Sequence, residues 1–264
     1  MASNFNFERN IRPDSGSNLP VSRGTVRIGP IPAPRVGPQN TWATRSQHFA
    51  LFTDISAQDR TLIVSAARER TFSRGQIIHI EGDDMRQVVL LTSGFAKMVQ
   101  CGQNGSAVIL RLCGPGELVG TLGVTMQARY RSTPQAIASS TALVWERDVF
   151  ESLSKRYPSL RLNVAYILYK QLEDMEDRFR EISTERVAPR LGRQIFRLVE
   201  QIGIPSNSSS IEINLTREEL AQLIGTSLFT VSRLLSEWDR KGIVTTRREG
   251  FSVDNLKALA ELID

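Results

Sequence analysis

The chain has 264 residues, a formal net charge of +5 and 41% apolar residues, enough for about two domains with cores of their own. No apolar run approaches the ~18 residues of a membrane span, and no apolar stretch with a small-residue cleavage site opens the chain. Cys101 and Cys113 make no disulfide framework, and with His48 and His79 they fall short of the clustered ligands of a β-barrel metal enzyme. The expectation is a cytoplasmic, non-enzymatic protein with no metal site and no membrane partner, whose positive charge suits a polyanion.

Residues 1–44 read as a disordered tail. Pro13, Pro20, Pro30, Pro32, Pro34 and Pro38 sit among glycine, serine and arginine with no sustained periodicity. Residues 45–157 begin with a helix at 59–67, whose apolar side is Leu62, Ile63 and Ala66. Short β-rich runs follow at 76–80, 87–92, 96–101, 107–112 and 143–145, separated by turn residues such as Ser93-Gly94 and Gly114-Pro115-Gly116. Many short strands with regular turns predict a sandwich or barrel, with His79 as an ordinary strand residue and the cysteines as small hydrophobes.

The period then changes to helical over 159–184, roughly 40 Å of helix at 1.5 Å per residue. Ala165, Leu168, Leu172, Met175, Phe179 and Ile182 alternate spacings of three and four, which is a coiled-coil seam. One apolar seam on so long a helix predicts pairing with a second copy, so residues 158–185 are assigned to a dimerisation helix.

Residues 186–264 carry the most specific pattern. Pro189 stands in the first turn of a helix to Gln201, and 203–210 is a connecting loop. Thr216-Arg217-Glu218-Glu219 is a capping box leading into Leu220, Leu223 and Ile224 at helical spacing. Gly225 ends that helix, and Thr226-Ser227 starts another in which Val231, Leu234, Leu235 and Trp238 share one face. Leu228 falls at the border of this face and is expected to pack inward. Phe229, Arg233, Ser236 and Arg240 share the opposite face. A short helix, a glycine turn and a longer helix make a helix-turn-helix. The β-rich pieces around Arg247-Arg248-Glu249-Gly250 add a hairpin wing.

A phenylalanine at the centre of a solvent-facing stripe has no core to enter, and beside it Arg233 offers the fork that suits guanine. The expected base readers are Phe229, Thr230, Ser232 and Arg233. The expected phosphate ligands are Thr216, Arg217, Ser227, Arg240, Lys241, Arg247 and Arg248. The fold class is therefore α+β: a jelly-roll-like β-roll, a long dimerisation helix and a C-terminal winged helix-turn-helix.

This order of parts resembles the Crp/Fnr family of bacterial transcription regulators. Leu51-Phe52-Thr53-Asp54-Ile55-Ser56, Arg74-Gly75-Gln76, Glu81-Gly82-Asp83 and Leu91-Thr92-Ser93-Gly94 look like its β-roll landmarks. Gly114-Pro115-Gly116-Glu117-Leu118-Val119-Gly120 looks like the entry to its phosphate-binding cassette, and Thr230-Val231-Ser232-Arg233 like the core of its recognition helix. The resemblance implies a homodimer on a palindromic operator, with RNA polymerase as a further partner and a small effector in the β-roll.

It also implies where that effector would sit: Gly120, Thr121, Leu122, Arg131, Ser132, Met175 and Glu176. Arg131-Ser132 keeps the pair that holds a cyclic phosphate. Thr121 replaces the family's ribose-holding acid, and Met175 and Glu176 replace hydroxyl residues that touch the base. A cyclic nucleotide is thus allowed by one half of the pattern and opposed by the other. The N-terminal cysteine cluster of the iron–sulfur members is missing, and neither histidine reads as a haem ligand. The alternative from another class is a DNA-independent dimeric ligand-binding or signalling module, against which the basic wing argues.

Overall fold

In the computed structural model, residues 48–103, 105–120, 129–205 and 210–263 are described, so the tail at 1–44 and the candidate residues Thr121 and Leu122 lie outside. After a single 3-10 turn at Ala50–Phe52, helix α1 (Ala57–Ser65) starts on Ser56, whose side chain accepts from the Asp59 amide. Seven strands follow: β1 (Arg68–Phe72), β2 (Gln87–Ser93), β3 (Ala96–Cys101), β4 (Ala107–Cys113), β5 (Leu118–Val119), β6 (Thr133–Ala136) and β7 (Ser140–Glu146). They form two antiparallel sheets, one in the order β1-β7-β2-β5 and the other β4-β3-β6. Apolar side chains from both fill the space between them, including Phe72, Val89, Leu91, Ala96, Met98 and Val144.

Strands β2, β3 and β4 match the sequence reading, and two others do not. Residues 76–80 make only an isolated bridge, Ile77 to Gln135, and no strand. Ile77 and Ile80 are about half exposed, and only Ile78 of this run's isoleucines packs against the core between the sheets. His79 is consequently not a strand residue. Its ring stacks on Tyr130 at 3.6 Å with an interplanar angle of 13°, its two ring nitrogens are buried without partners, and burial pulls its pKa down to about 4. Conversely β1, mostly exposed and charged, is a strand because Arg68–Phe72 pairs in full register with β7.

Helix α2 (Arg147–Arg156) leads into the long helix α3 (Pro158–Thr184), whose first turn accommodates Pro158 because its amide would have no helical partner there. Leu160 is fully buried against the first sheet, and the Asn163 side-chain amide donates to the carbonyls of Leu51 (3.0 Å) and Thr53 (2.7 Å). Helix α4 (Val187–Ile202) then opens the C-terminal part. The connection at 203–210, expected as a loop, contains a short strand β8 (Ile204–Pro205). Helices α5 (Arg217–Ile224), α6 (Leu228–Arg240) and α7 (Leu256–Ala260) pack with a third antiparallel sheet. That sheet has the order β10-β11-β9-β8, where β9 is Ile211–Ile213, β10 Val244–Thr246 and β11 Phe251–Val253. Ile109 and Leu112 of β4 belong to the same apolar cluster as Leu223 and Ile224 of α5, so the C-terminal part rests directly on the β-roll.

Candidate nucleic-acid interface

Two caps and one glycine build the helix-turn-helix. The Thr216 hydroxyl accepts from the Glu219 amide at 3.1 Å, and the Glu219 carboxylate accepts from the Thr216 amide at 2.9 Å, closing the capping box of α5. Gly225 ends the helix at φ 62° and ψ 53°, a left-handed conformation that a side chain would strain. Ser227 then accepts from the Thr230 amide at 3.2 Å and starts α6.

Helix α6 is sharply two-faced. Val231, Leu234, Leu235 and Trp238 are buried, whereas Phe229 is 77% exposed, with Arg233, Ser236 and Arg240 exposed beside it. Thr230 and Ser232 are half-buried at the flanks. Leu228, expected to pack inward, is instead 49% exposed. A helical side chain lies over the turn before its own position, and the first residue after the cap has no such turn beneath it.

The wing is the β10–β11 hairpin, closed by the Arg247 amide donating to the Gly250 carbonyl at 2.8 Å. Arg247 lies 3.0 Å from Glu212 on β9, a partner invisible in the sequence because β9 was not foreseen. Lys241 lies 2.7 Å from Glu237, and Arg240 Nε donates to the Ser236 carbonyl at 3.3 Å. Arg248 is exposed and Arg217 half-buried. These ion pairs are open to solvent, so little is lost when a phosphate replaces the carboxylate.

Helix α3 presents Leu172, Met175, Phe179 and Ile182 at 52%, 58%, 72% and 47% exposure, with Leu168 half-buried. Near its end Glu181 is buried, accepting from both ends of the Arg197 guanidinium and lying 3.6 Å from Arg193. Arg190 Nη1 donates to the Ile182 carbonyl at 3.2 Å, supplying positive charge where the helix dipole ends negative. A further ion pair joins the β-roll to the reading head: Lys97 on β3 lies 2.7 Å from Glu219, both side chains largely buried. Burial would raise the Glu219 pKa, but Lys97 and the Thr216 hydrogen bonds outweigh it and hold the carboxyl below its usual range. None of Lys97, Glu181, Arg190 or Glu212 was singled out by the sequence pattern. Only Glu219 was, as a cap.

Residues 69–157 match the family described as "Cyclic nucleotide-binding domain", and residues 185–262 match "Crp-like helix-turn-helix domain". The chain belongs to the Crp/Fnr family of transcription regulators. It is 26% identical over 194 residues to the cyclic AMP receptor protein of Thermus thermophilus, covering 74% of this chain and 87% of that one. It is 22% identical over 196 residues to the anaerobic regulatory protein of Aggregatibacter actinomycetemcomitans, covering 74% and 76%. The c-di-GMP responsive global regulator CLP of Xanthomonas campestris shares the fold, with a TM-score of 0.67 at 18% identity over 76% of this chain and all of that one. The protein is thus a Crp/Fnr-type regulator with a helix-turn-helix DNA-binding domain, not an enzyme.

Against that family pattern, the expected effector residues divide. Gly120, Ser132 and Met175 line a common cavity of about 310 Å³ between β4, α3 and the start of the helix-turn-helix. Arg131 is exposed and does not line it, and its backbone carbonyl accepts from Gln100 at 3.2 Å. Glu176, expected to bring a negative charge towards the ligand, is exposed and also outside the lining, because at helical spacing it turns away when Met175, itself still exposed, borders the cavity. The charged groups that do line the cavity are Arg111, Glu117, Asp174 and Arg178. The sequence could have signalled Asp174 and Arg178, since both share the cavity-side face of the helix with Met175 and Gln171.

Proposed function

We propose that this regulator binds a palindromic operator as a homodimer, in the cytoplasm, and contacts RNA polymerase there. Residues 45–157 act as sensor, 158–185 as dimerisation helix and 186–264 as DNA reader. The observation that carries the reading is α6: one side wholly buried, the other offering Phe229 at 77% exposure next to an exposed Arg233. The half-exposed apolar seam on α3 supports pairing with a second copy. Two recognition helices related by that pairing would enter successive major grooves about one helical turn apart.

In this arrangement Arg233 takes the O6 and N7 of a guanine, Phe229 presses on a thymine methyl, and Thr230 and Ser232 flank them. Thr216, Arg217, Ser227, Arg240, Lys241, Arg247 and Arg248 take phosphates. Recognition helices of the family usually carry a glutamate at the place of Phe229, which accepts from a cytosine amino group. A ring cannot accept that bond, so the operator keeps a G·C pair at Arg233 and favours A·T beside it.

Selection from a random DNA pool with the wild type and Phe229→Glu tests this. The variant should recover a more G·C-rich half-site. An identical consensus from both proteins would remove Phe229 from the groove and with it this placement of α6. Gating by a small effector in the cavity belongs to the same reading, supported by the position of the cavity between β4, α3 and α5.

A further inference from the structure

The cavity holds a charge that, among the described residues, no carboxylate touches. Arg178 lines it from α3, half-buried, with Nη1 donating to the Leu110 carbonyl at 2.6 Å. Among the described residues that is its one hydrogen bond, and no carboxylate lies within ion-pair distance of it. Its neighbours are better served. Arg111 lies 3.6 Å from Glu117 and donates to the Leu118 carbonyl at 3.0 Å, and Arg197 is held at both ends by Glu181.

Burial lowers the Arg178 pKa, and repulsion from Arg197 adds to this, while Asp174 and Glu181 pull the other way from beyond contact distance and outweigh Arg111 one by one. The rest of the wall is largely apolar: Met98, Ile109, Leu112, Met175 and Phe179. A guanidinium held against such a surface with no counter-ion in contact is costly, and the N–H groups left beside the Leu110 bond are the donor set that suits a carboxylate, sulfonate or phosphodiester.

We infer that this cavity binds a small organic molecule with an apolar body and a single negative charge, with Arg178, rather than Arg131, as its counter-ion. The volume of about 310 Å³ limits the body to about the size of a substituted bicyclic aromatic. Asp174, exposed at the wall, selects against a second negative charge. Gly120 and buried Ser132 also line the space, so the family's cassette still contributes its small and hydroxyl members while its arginine does not. Leu223 and Gly225 of the helix-turn-helix complete the wall, so an occupant touches the reading head directly. The inference rests on the proposed DNA-binding function only for this last consequence.

The test uses two fluorescent probes on the full-length protein: 8-anilinonaphthalene-1-sulfonate, and N-phenyl-1-naphthylamine, which has the same body without the charge. The sulfonate should saturate at one per protomer and bind at least about tenfold more tightly than the neutral dye, as a charge-assisted hydrogen bond requires. Arg178→Met should erase that preference, Arg178→Lys should keep part of it, and Arg131→Met should leave it intact. The lysine variant guards against a mere folding defect.

Equal binding of the two dyes, or a preference surviving in Arg178→Met, would overturn the inference. So would loss of preference in Arg131→Met, which would return the anion to the cyclic-phosphate position. A gel shift on the selected operator separates the two ideas. Operator binding without dye preference sinks the cavity assignment alone, whereas absent operator binding sinks the regulator reading.

Discussion

The substitution Leu172→Glu strikes the centre of the α3 seam, and its size can be worked from exposure. Leu172 is 52% exposed, so pairing has about half a leucine side chain left to bury, worth roughly 1 kcal/mol per protomer and ~2 kcal/mol across a two-fold interface. Leu172, Met175, Phe179 and Ile182 together expose a little over two whole side chains per protomer, a gross gain on the order of 7–14 kcal/mol per dimer. Association entropy takes an estimated 4 kcal/mol or more from that, so the surplus is modest.

Leu172→Ala should therefore weaken the dimer by about 30-fold, since each ~1.4 kcal/mol is tenfold. Leu172→Glu adds two carboxylates desolvated opposite each other, costing several kcal/mol more, and should give a monomer at micromolar concentration. Because the residue is half-exposed, the fold itself should survive, which circular dichroism checks. Sedimentation velocity reads the outcome, with operator binding falling in step. A Leu172→Glu protein that sediments as an unchanged dimer would mean that the interface lies elsewhere.

Arg233→Ala should cost ~1–3 kcal/mol per half-site and relax one operator position in a binding-site selection, while other positions keep their preference. Arg248→Ala and Arg247→Ala should weaken all sequences alike and flatten the dependence of affinity on salt by about one unit of slope each. Arg247 should show the smaller effect because Glu212 already holds it. Lys97→Met should destabilise the protein near neutral pH, with a difference that vanishes in acid. Glu219 has a depressed pKa when folded, so its contribution is full above the ordinary 4.5 and disappears as pH falls through the lower folded value; urea unfolding of both proteins across that range reads it. Cyclic AMP should leave the thermal midpoint almost unmoved, since its polar sugar meets a largely apolar wall and Thr121 stands where the family has its ribose-holding acid, and a micromolar dissociation constant would refute this.

What the sequence determined by itself is what local chemistry encodes. A capping box, a left-handed glycine and a second cap lie within twelve residues of one another at Thr216–Ser227, and each works through bonds three or four residues long. The helix-turn-helix was therefore readable without its surroundings. The same holds for α3, whose period over 27 residues leaves no other regular structure, and for β2, β3 and β4, whose buried runs are bounded by turns.

The tertiary structure decided what depends on distant partners. Arg68–Phe72 is largely polar and becomes a strand only through β7, about seventy residues away, while 76–80 is rich in isoleucine and makes only a bridge and a few backbone bonds to β6. Whether an arginine is compensated is a property of space and not of order. Arg197 meets Glu181 across two helices, Lys97 meets Glu219 across the two halves of the chain, and Arg178 touches no carboxylate among the described residues. Charge pairing between remote segments has no period and no spacing, so the cavity and its unmatched guanidinium could be found only once the chain had folded.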